Sequence, residues 1–399
     1  MMKRIIRVIL LCIIFGSTSG CWDSAEINEV TVITGIAIDR GETGKYRMSV
    51  ESLNTGEINP KTRGNSAPTV VFDLEGDSVA DLAFKMNAGI TRKMLYSHMQ
   101  TVIIGDKIAR EGVLAFFDFL ERSREIRSDF NIVIADGVPA SDLLKVTFPI
   151  QRSPALKIGT QERTLIKEWG ETSGTLRDII SDLSSMGSEP VVTLMSIRGN
   201  PSSGIKNENM QQVEPGAMVE LTGLAIFRDG KYVGKLSVDE GIYLLWAKGK
   251  IKRTSIVISC GPEKSFNVRV DRSKTSTKAR VENGKPHFDI MVHFEGRIEG
   301  TGCDEDLNKA GTYEKFEKLT SEVVEERMEE IIERLQHEYR TDVLGLGEQL
   351  ERQDYRSFKM MKDQWNEHFS RSDIHITVKT QLRRTGLMKR SFAQDSVME

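Results

Sequence analysis

The spacing of apolar and polar residues changes repeatedly along the chain, which predicts both strands and helices. Short apolar runs rich in β-branched residues and bounded by Gly, Asp or Ser predict strands. In the first half of the chain these runs are residues 30–38, 47–53, 101–104, 130–135 and 191–197. Apolar residues at intervals of three and four predict helices over residues 79–86, 108–124, 141–146 and 175–184. Strands and helices do not alternate strictly, so the predicted fold class is α+β.

The second half of the chain has the same mixed character. Asp229 and Gly230 lie between two apolar runs, which predicts a tight hairpin. A short helix is predicted over 238–247, and strands are predicted over 251–259, 266–270, 275–281, 287–299 and 374–382. The longest predicted helix, 313–339, has its apolar stripe at Phe316, Leu319, Val323, Val324, Met328, Ile331, Ile332 and Leu335.

Two stretches have the composition of connections. Residues 54–67 are polar and contain Gly and Pro, so they predict a loop before a helix that Asp77 or Ser78 would cap. Residues 199–216 are rich in Gly, Pro, Ser and Asn and predict a linker. The predicted division is therefore an N-terminal α+β domain over 21–198, the linker, and a C-terminal α+β domain over 217–399.

The N-terminus has the three parts of a secretory signal peptide. Lys3, Arg4 and Arg7 form a positively charged start, residues 5–15 are mostly apolar, and residues 16–20 are small. A membrane-spanning helix needs about 20 apolar residues, so this run is too short to span. We expect residues 1–20 to be removed on export.

Cys21 follows the small residues directly, as the modified cysteine of a bacterial lipoprotein does, although Thr18 stands where leucine is commonest. A diacylglyceryl group on Cys21, with palmitate among its acyl chains, would hold the chain on the outer face of the cell membrane. Two acyl chains give stable anchoring, since each buried methylene contributes about 0.8 kcal/mol. The simpler alternative is an ordinary signal peptide whose first mature residue is a cysteine.

Charge restricts the class of partner. The whole chain carries a net charge of −3, and removal of residues 1–20 leaves 52 basic and 58 acidic residues. A weakly acidic chain argues against nucleic acid as a partner and against electrostatic docking on anionic lipid. Contents of 39% hydrophobic and 28% charged residues are those of a globular protein.

Signals for catalysis are weak. The sequence has no GxSxG, P-loop, CxxC or HExxH pattern, so we predict no catalytic residue, cofactor or metal, and no enzymatic activity. His287, Asp289 and His293 share one face of a predicted strand and could in principle bind a metal. A solvated strand face is favoured, because the alternating residues Phe288, Ile290 and Val292 would form the core.

Three other groups of residues have ordinary structural interpretations, and two further pairs of residues keep two alternatives or none. Surface pairs are expected at Glu121, Arg124, Glu125 and Arg127, and a turn at Gly345-Leu346-Gly347. A solvated helix face is expected at Glu325, Glu326, Glu329, Glu330 and Glu333. Cys260 and Cys303 could form a disulfide or remain two inert thiols, because sequence spacing does not establish disulfide geometry. Trp22 would lie at the membrane interface or cover a sheet edge, and Asp23 follows it.

An ordered set of short motifs resembles the Ger(x)C family, the C subunits of spore germinant receptors. In the first half the motifs are Cys21-Trp22-Asp23, Glu26-Ile27, Gly35, Asp39, Phe116-Phe117, Glu121, Arg124, Arg127 and Ile134-Ala135-Asp136-Gly137. In the second half they are Gly223-Leu224-Ala225-Ile226-Phe227, Gly234-Lys235-Leu236, Leu244-Leu245-Trp246, Gly249, Gly345-Leu346-Gly347, Trp365 and Arg383-Arg384-Thr385-Gly386.

The resemblance implies a lipoprotein of the spore inner membrane that works with membrane-spanning A and B receptor subunits in the germination response to nutrients. It also implies α+β domains built on sheets with flanking helices, and more than two structural units. The alternative function is a solute-binding lipoprotein of a membrane transporter, a class whose two lobes usually alternate strands and helices. A lipid-anchored hydrolase is disfavoured because the sequence has no nucleophile–base signature.

Overall fold

The structure is a computed structural model that describes residues 29–383, except 60, 62, 63, 91, 171 and 173. Its described strands form a large sheet and a small sheet. The large sheet contains β1 Val30–Arg40, β2 Tyr46–Leu53, β3 Thr69–Gly76, β4 Lys93–Leu95, β5 Thr101–Gly105, β6 Asn131–Ala135, β7 Val191–Gly199, β8 Ala217–Arg228 and β9 Lys231–Ser237. The small sheet contains β10 Thr254–Gly261, β11 Lys264–Glu282, β12 Lys285–Thr301 and β13 Asp373–Leu382.

Helices flank both sheets. They are α1 Thr55–Ile58, α2 Val79–Lys85, α3 Asp106–Glu111, α4 Leu114–Arg122, α5 Ala140–Leu143, α6 Pro154–Trp169, α7 Leu176–Ser184, α8 Pro201–Gly204, α9 Val238–Ala247, α10 Ala310–Arg334, α11 Leu346–Gln353, α12 Tyr355–Met361 and α13 Trp365–Ser370. Helix α10 continues into a π-helical turn, Leu335–Tyr339. This mixture confirms the predicted α+β class.

The large sheet has a parallel centre and antiparallel edges. Its order is β3-β2-β1-β5-β6-β7-β8-β9, and β4 pairs with the start of β1. Strands β1, β5, β6 and β7 are parallel to one another, whereas β2, β3, β8 and β9 are added antiparallel. Helices α2, α3, α4 and α7 cover one face, and α5 and α6 cover the other. Both faces of β5 and β6 are therefore buried, which explains their continuous apolar sequences.

Several predicted elements are confirmed, one predicted helix is divided in two, and two elements were not predicted. Ser78 caps α2 by accepting a hydrogen bond from the Asp81 backbone N–H. The predicted helix 108–124 is two helices, because Gly112 adopts a φ of 131° between α3 and α4. Strand β3 was not predicted: it is an edge strand without a fully buried face, so its sequence shows no clear alternation. Helix α6 was also not predicted.

The predicted linker is packed against the large sheet. It connects β7 to its antiparallel neighbour β8, and Gly199 pairs with Ala217 across the two strands. The buried Asn209 side chain donates hydrogen bonds to the carbonyl oxygens of Thr147 and Ala217 at 2.8 and 3.1 Å. Residues 199–216 therefore do not separate two sheets, since β8 and β9 complete the large one. The division of the chain into domains stays a prediction.

Side chains of α10 close one edge of the small sheet. Glu317, Ser321 and Glu325 are four residues apart and lie on one face of the helix. They accept hydrogen bonds from the backbone N–H groups of Leu382, Thr380 and Val378, at 2.7, 3.3 and 2.6 Å respectively. The expectation that Glu325 belongs to a solvated face is thus wrong, because an edge strand leaves N–H groups that need acceptors.

A glutamine of α11 closes part of β11 in the same way. The Gln353 side chain accepts from the Ala279 backbone N–H and donates to the Thr277 carbonyl oxygen, both at 2.9 Å. Its amide therefore takes the place of a neighbouring strand's peptide group.

A buried carboxylate fixes the start of α6. Glu51 of β2 has no exposed surface. One of its oxygens accepts from the Ser153 hydroxyl at 2.5 Å, and the other accepts from the Ala155 backbone N–H at 2.8 Å. Burial raises the pKa of Glu51 to about 7, although these hydrogen bonds act in the opposite direction. Glu51 therefore keeps its proton in the folded chain at a pH where the unfolded chain has lost it.

This raised pKa predicts a pH-dependent stability. As pH rises from about 4.5 to 7, the unfolded chain loses the Glu51 proton first, so the free energy of unfolding should fall by about 3 kcal/mol and then level off. Glu51→Gln should remove this part of the decline, whereas Glu42→Gln on the exposed surface should not. Urea unfolding at several pH values measures both. The same pH slope in Glu51→Gln as in the original chain would contradict the assignment.

Candidate functional site: a buried polar junction

The residues predicted to carry the lipid anchor lie outside the described residues. Cys21, Trp22 and Asp23 precede Glu29, where the described chain begins. The lipidation of Cys21 and the placement of Trp22 therefore stay predictions.

The candidate metal face of β12 has the solvated form that the sequence favoured. Phe288, Ile290 and Val292 are buried in the core. On the other face, the Asp289 carboxylate pairs with an arginine of β11, and His287 Nδ1 lies 3.3 Å from a carboxylate oxygen of β13. These side chains are thus engaged with charged neighbours across the strands.

Cys260 and Cys303 form a disulfide, which decides between the two alternatives. Their Cα atoms are 6.2 Å apart, and the bridge joins the end of β10 to the segment that follows β12. Glu305 lies close to both sulfur atoms, so the three residues could hold a metal ion only if the disulfide were reduced. A bridge across 43 residues of sequence typically stabilises a fold by 2–4 kcal/mol.

The expected surface pairs are indeed exposed, and Arg127 pairs with Asp129 at 2.6 Å. Two acidic residues of the motifs that resemble the Ger(x)C family, Asp39 and Asp136, bind other parts of the chain. Asp39 caps α5 by accepting from the Ala140 and Ser141 backbone N–H groups at 2.8 and 2.9 Å. Asp136 lies 3.1 Å from the Lys235 ammonium, which ties β6 to β9.

A polar arrangement in the interior is built around Asp342, a fully buried residue that no sequence motif indicates. One carboxylate oxygen accepts from the Gly345 backbone N–H at 2.9 Å. The other accepts from the Gly347 backbone N–H at 2.8 Å and from the Trp365 indole N–H at 2.9 Å. The predicted turn at 345–347 is wrong in its extent, because Gly345 precedes α11 and Leu346 and Gly347 are the first residues of that helix. Asp342 holds the start of α11 in place.

The two glycines at the start of α11 have different roles. Gly345 adopts a φ of 75°, a conformation that side chains disfavour. Gly347 lies against Gly187 of the loop after α7, so closely that an added Cβ would lie 2.4 Å from the Gly187 Cα. Gly345 thus allows a left-handed backbone conformation, and Gly347 allows two parts of the chain to come into close contact.

Asp342 and its neighbours also connect segments of the predicted N-terminal domain with segments of the predicted C-terminal domain. Its backbone carbonyl accepts from the Glu189 N–H at 2.8 Å, just before β7. Lys248, at the end of α9, donates to the Val343 carbonyl oxygen at 2.8 Å and lies 4.0 Å from Asp182 of α7. We call this set, Asp182, Glu189, Lys248, Asp342 and Trp365, the polar junction.

Burial dominates the electrostatics of the polar junction. It raises the pKa of Asp342 and lowers the pKa of Lys248, since both lie away from water. Burial also raises the pKa of Glu189 to about 7, with the charges of Asp229 and Asp342 adding to the effect. The carboxylate of Asp342 is used by backbone and indole N–H groups, so the arrangement holds segments together rather than offering a free acid or base.

The polar junction predicts a large effect on stability. Asp342→Ala removes three hydrogen bonds and leaves their donors buried, so the free energy of unfolding should fall by about 3 kcal/mol. Trp365→Phe removes one of these bonds and should cost about 1 kcal/mol. Asp363→Ala, on the exposed surface, is the matched control and should change little. A loss below about 1 kcal/mol for Asp342→Ala in urea unfolding would show that the junction is not a structural centre.

Comparison with known proteins identifies the family. Residues 23–197 match the model described as spore germination protein N-terminal domain, and residues 222–386 match spore germination B3/GerAC like, C-terminal. Spore germination protein KC of Bacillus subtilis (strain 168) is 25% identical over 99% of this chain and 100% of its own length. Spore germination protein B3 of the same organism is 24% identical, over 90% and 92% respectively.

A solved structure supports the same fold. The crystal structure of the GerBC protein superposes with a TM-score of 0.53 at 20% sequence identity, and the match covers 88% of this chain and 97% of that chain. The family matches span most of the chain in the expected order. The chain therefore belongs to the Ger(x)C family of spore germination proteins.

Proposed function

We propose that this chain is the lipid-anchored subunit of a nutrient germinant receptor and is required for the germination response to nutrients. The observation that carries the proposal is the match to germination proteins over nearly the whole chain. Those relatives are named spore germination proteins KC, B3 and A3, all from Bacillus subtilis (strain 168). A match of this extent makes a role in germination the best-supported function.

The proposed anchor is a diacylglyceryl group on Cys21, after removal of residues 1–20, which would place the chain on the outer face of the spore inner membrane. The basic, apolar and small segments before Cys21 support this proposal. Among the described residues, no helix combines the length and the apolar character needed to cross a membrane.

The proposed partners are the membrane-spanning A and B receptor subunits. A chain held on one side of a bilayer by lipid needs membrane-spanning partners to pass a signal across it. We propose a non-enzymatic role within that complex. The use of Asp39, Glu51 and Asp342 as acceptors for backbone N–H groups supports this role, because these buried acids maintain the fold.

Complementation of a deletion strain tests the receptor role and the anchor together. Spores without the gene should fail to release dipicolinic acid with one class of nutrient and should respond normally to non-nutrient triggers. The original gene and Cys12→Ala, which changes a cysteine of the removed segment, should restore the response. Cys21→Ala should neither restore it nor incorporate a fatty-acid analogue, because it has no thiol for the lipid.

Two outcomes would contradict separate parts of this proposal. Normal release with every nutrient, in a deletion strain that lacks other receptors, would refute the receptor role. Equal fatty-acid labelling of Cys21→Ala and the original chain would refute the anchor and leave the receptor role standing.

A further inference from the structure

The small sheet has one face covered by helices and one open face. Phe288, Ile290 and Val292 of β12 are buried beneath the helices. Met291, which lies between Ile290 and Val292, and His293, which follows Val292, are exposed. Because side chains alternate between the faces of a strand, the residues aligned with Met291 and His293 on neighbouring strands lie on the same open face.

The strand register collects cations on this open face. His293 is aligned with Lys274 of β11 on one side and with Lys379 of β13 on the other. Four residues along β12, Lys278 and His375 occupy the corresponding outward positions, and all five residues are exposed. We call these five residues the cationic face. Neighbouring strands are about 4.8 Å apart, less than the Debye length of about 8 Å in physiological salt, so the charges act together.

The acidic residues on this side of the sheet have arginine partners. Asp289 is aligned between Lys278 and His375 and pairs with Arg280, which also pairs with Glu282. Glu295, at the margin of the cationic face, lies 2.9 Å from Arg383. Within the described part of the chain, the three lysines of the cationic face have no carboxylate at ion-pair distance. The face is therefore positive, although the whole chain carries a net charge of −3.

The composition of the cationic face favours a diffuse anionic surface over a protein partner. Protein interfaces are depleted in lysine and are centred on aromatic or arginine side chains that fill pockets. Here the fixed charges are lysines, which are compact, hydrated point charges on flexible stems. The apolar contribution at the centre is Met291, which is 43% exposed. Anionic lipid headgroups fit this pattern, since they need charge but no fixed pairing geometry.

We propose that the cationic face lies against the anionic phospholipid headgroups of the membrane that carries the chain. This inference rests on the proposed lipid anchor, which keeps the protein near a bilayer. From Cys21 to Glu29 the chain can extend at most about 28 Å, against a radius of gyration of about 20 Å for a body of this size. Some surface of the protein must then stay close to the membrane. At this distance the positive charge of the cationic face acts on the membrane more strongly than the net negative charge of the whole chain. The net charge alone argued against electrostatic docking on anionic lipid.

Vesicle flotation tests this orientation without the anchor. Residues 21–399 carrying Cys21→Ala, which retain every described residue, are mixed with vesicles of phosphatidylcholine alone or with an equal part of phosphatidylglycerol. We expect flotation with the acidic vesicles only, and a partition coefficient that falls at least about tenfold between low and high salt. Lys274→Glu, Lys278→Glu and Lys379→Glu together should lower the coefficient at least about 100-fold, because each basic residue contributes about fivefold.

A charge-matched variant separates this face from the rest of the surface. Lys107→Glu, Lys252→Glu and Lys359→Glu together make the same change in net charge at exposed sites elsewhere and should lower the coefficient far less. Equal losses in the two triple variants would overturn the proposal, as would the absence of flotation of the original surface with acidic vesicles. A partition coefficient of the original surface that does not fall with salt would also overturn the proposal, even if a variant does not fold. Since no lipid is attached, the result is independent of the modification of Cys21.

Discussion

The hairpin formed by β8 and β9 is the part of the molecule on which the rest depends, because its two faces supply two different cores. Ala225, Phe227 and Tyr232 pack with the helices of the large sheet. Leu224, Ile226 and Leu236, on the other face, pack with the small sheet and α10. The turn is set by Asp229 and Gly230, both with positive φ, which suits a tight two-residue connection. Without this hairpin each core would expose apolar surface, at a cost of roughly 25 cal/mol per Å². The two sheets are therefore parts of one folded body.

The polar junction and Tyr339 strengthen this arrangement from the side of the small sheet. Tyr339 donates a hydrogen bond from its hydroxyl to the Lys235 carbonyl oxygen at 3.1 Å, and its ring lies where a Cβ on Gly234 would be 2.1 Å away. The close contact between Gly347 and Gly187 and the hydrogen bond from the Glu189 N–H to the Asp342 carbonyl oxygen connect the same two parts of the chain. The large sheet and the cationic face of the small sheet would then be oriented together, so an orientation of the cationic face at the membrane would also orient the large sheet.

Local signals in the sequence were sufficient for much of the fold, and they fail where distant contacts decide. Asp229-Gly230 and Ser78 act on their immediate neighbours, so their turn and cap could be predicted from a few residues. Strand β3 and the role of Glu325 could not, because one depends on pairing with β2 and the other on a strand more than fifty residues away. Asp342 carries no motif of its own. The signal for it was the glycine pair at 345 and 347 and a tryptophan downstream, whose shared partner only the three-dimensional structure shows.

The claim that the two sheets form one body is tested most directly by native-state hydrogen exchange in increasing, sub-denaturing urea. The amides to compare are those of β5 and β6 in the large sheet and those of Phe288, Ile290 and Val292 of β12 in the small sheet, which are all buried residues. Because the hairpin is shared, we predict that these amides exchange through a single opening with one free energy and one dependence on urea. Exchange of β12 at a lower free energy, while β5 and β6 remain protected, would contradict it and show two bodies that unfold independently.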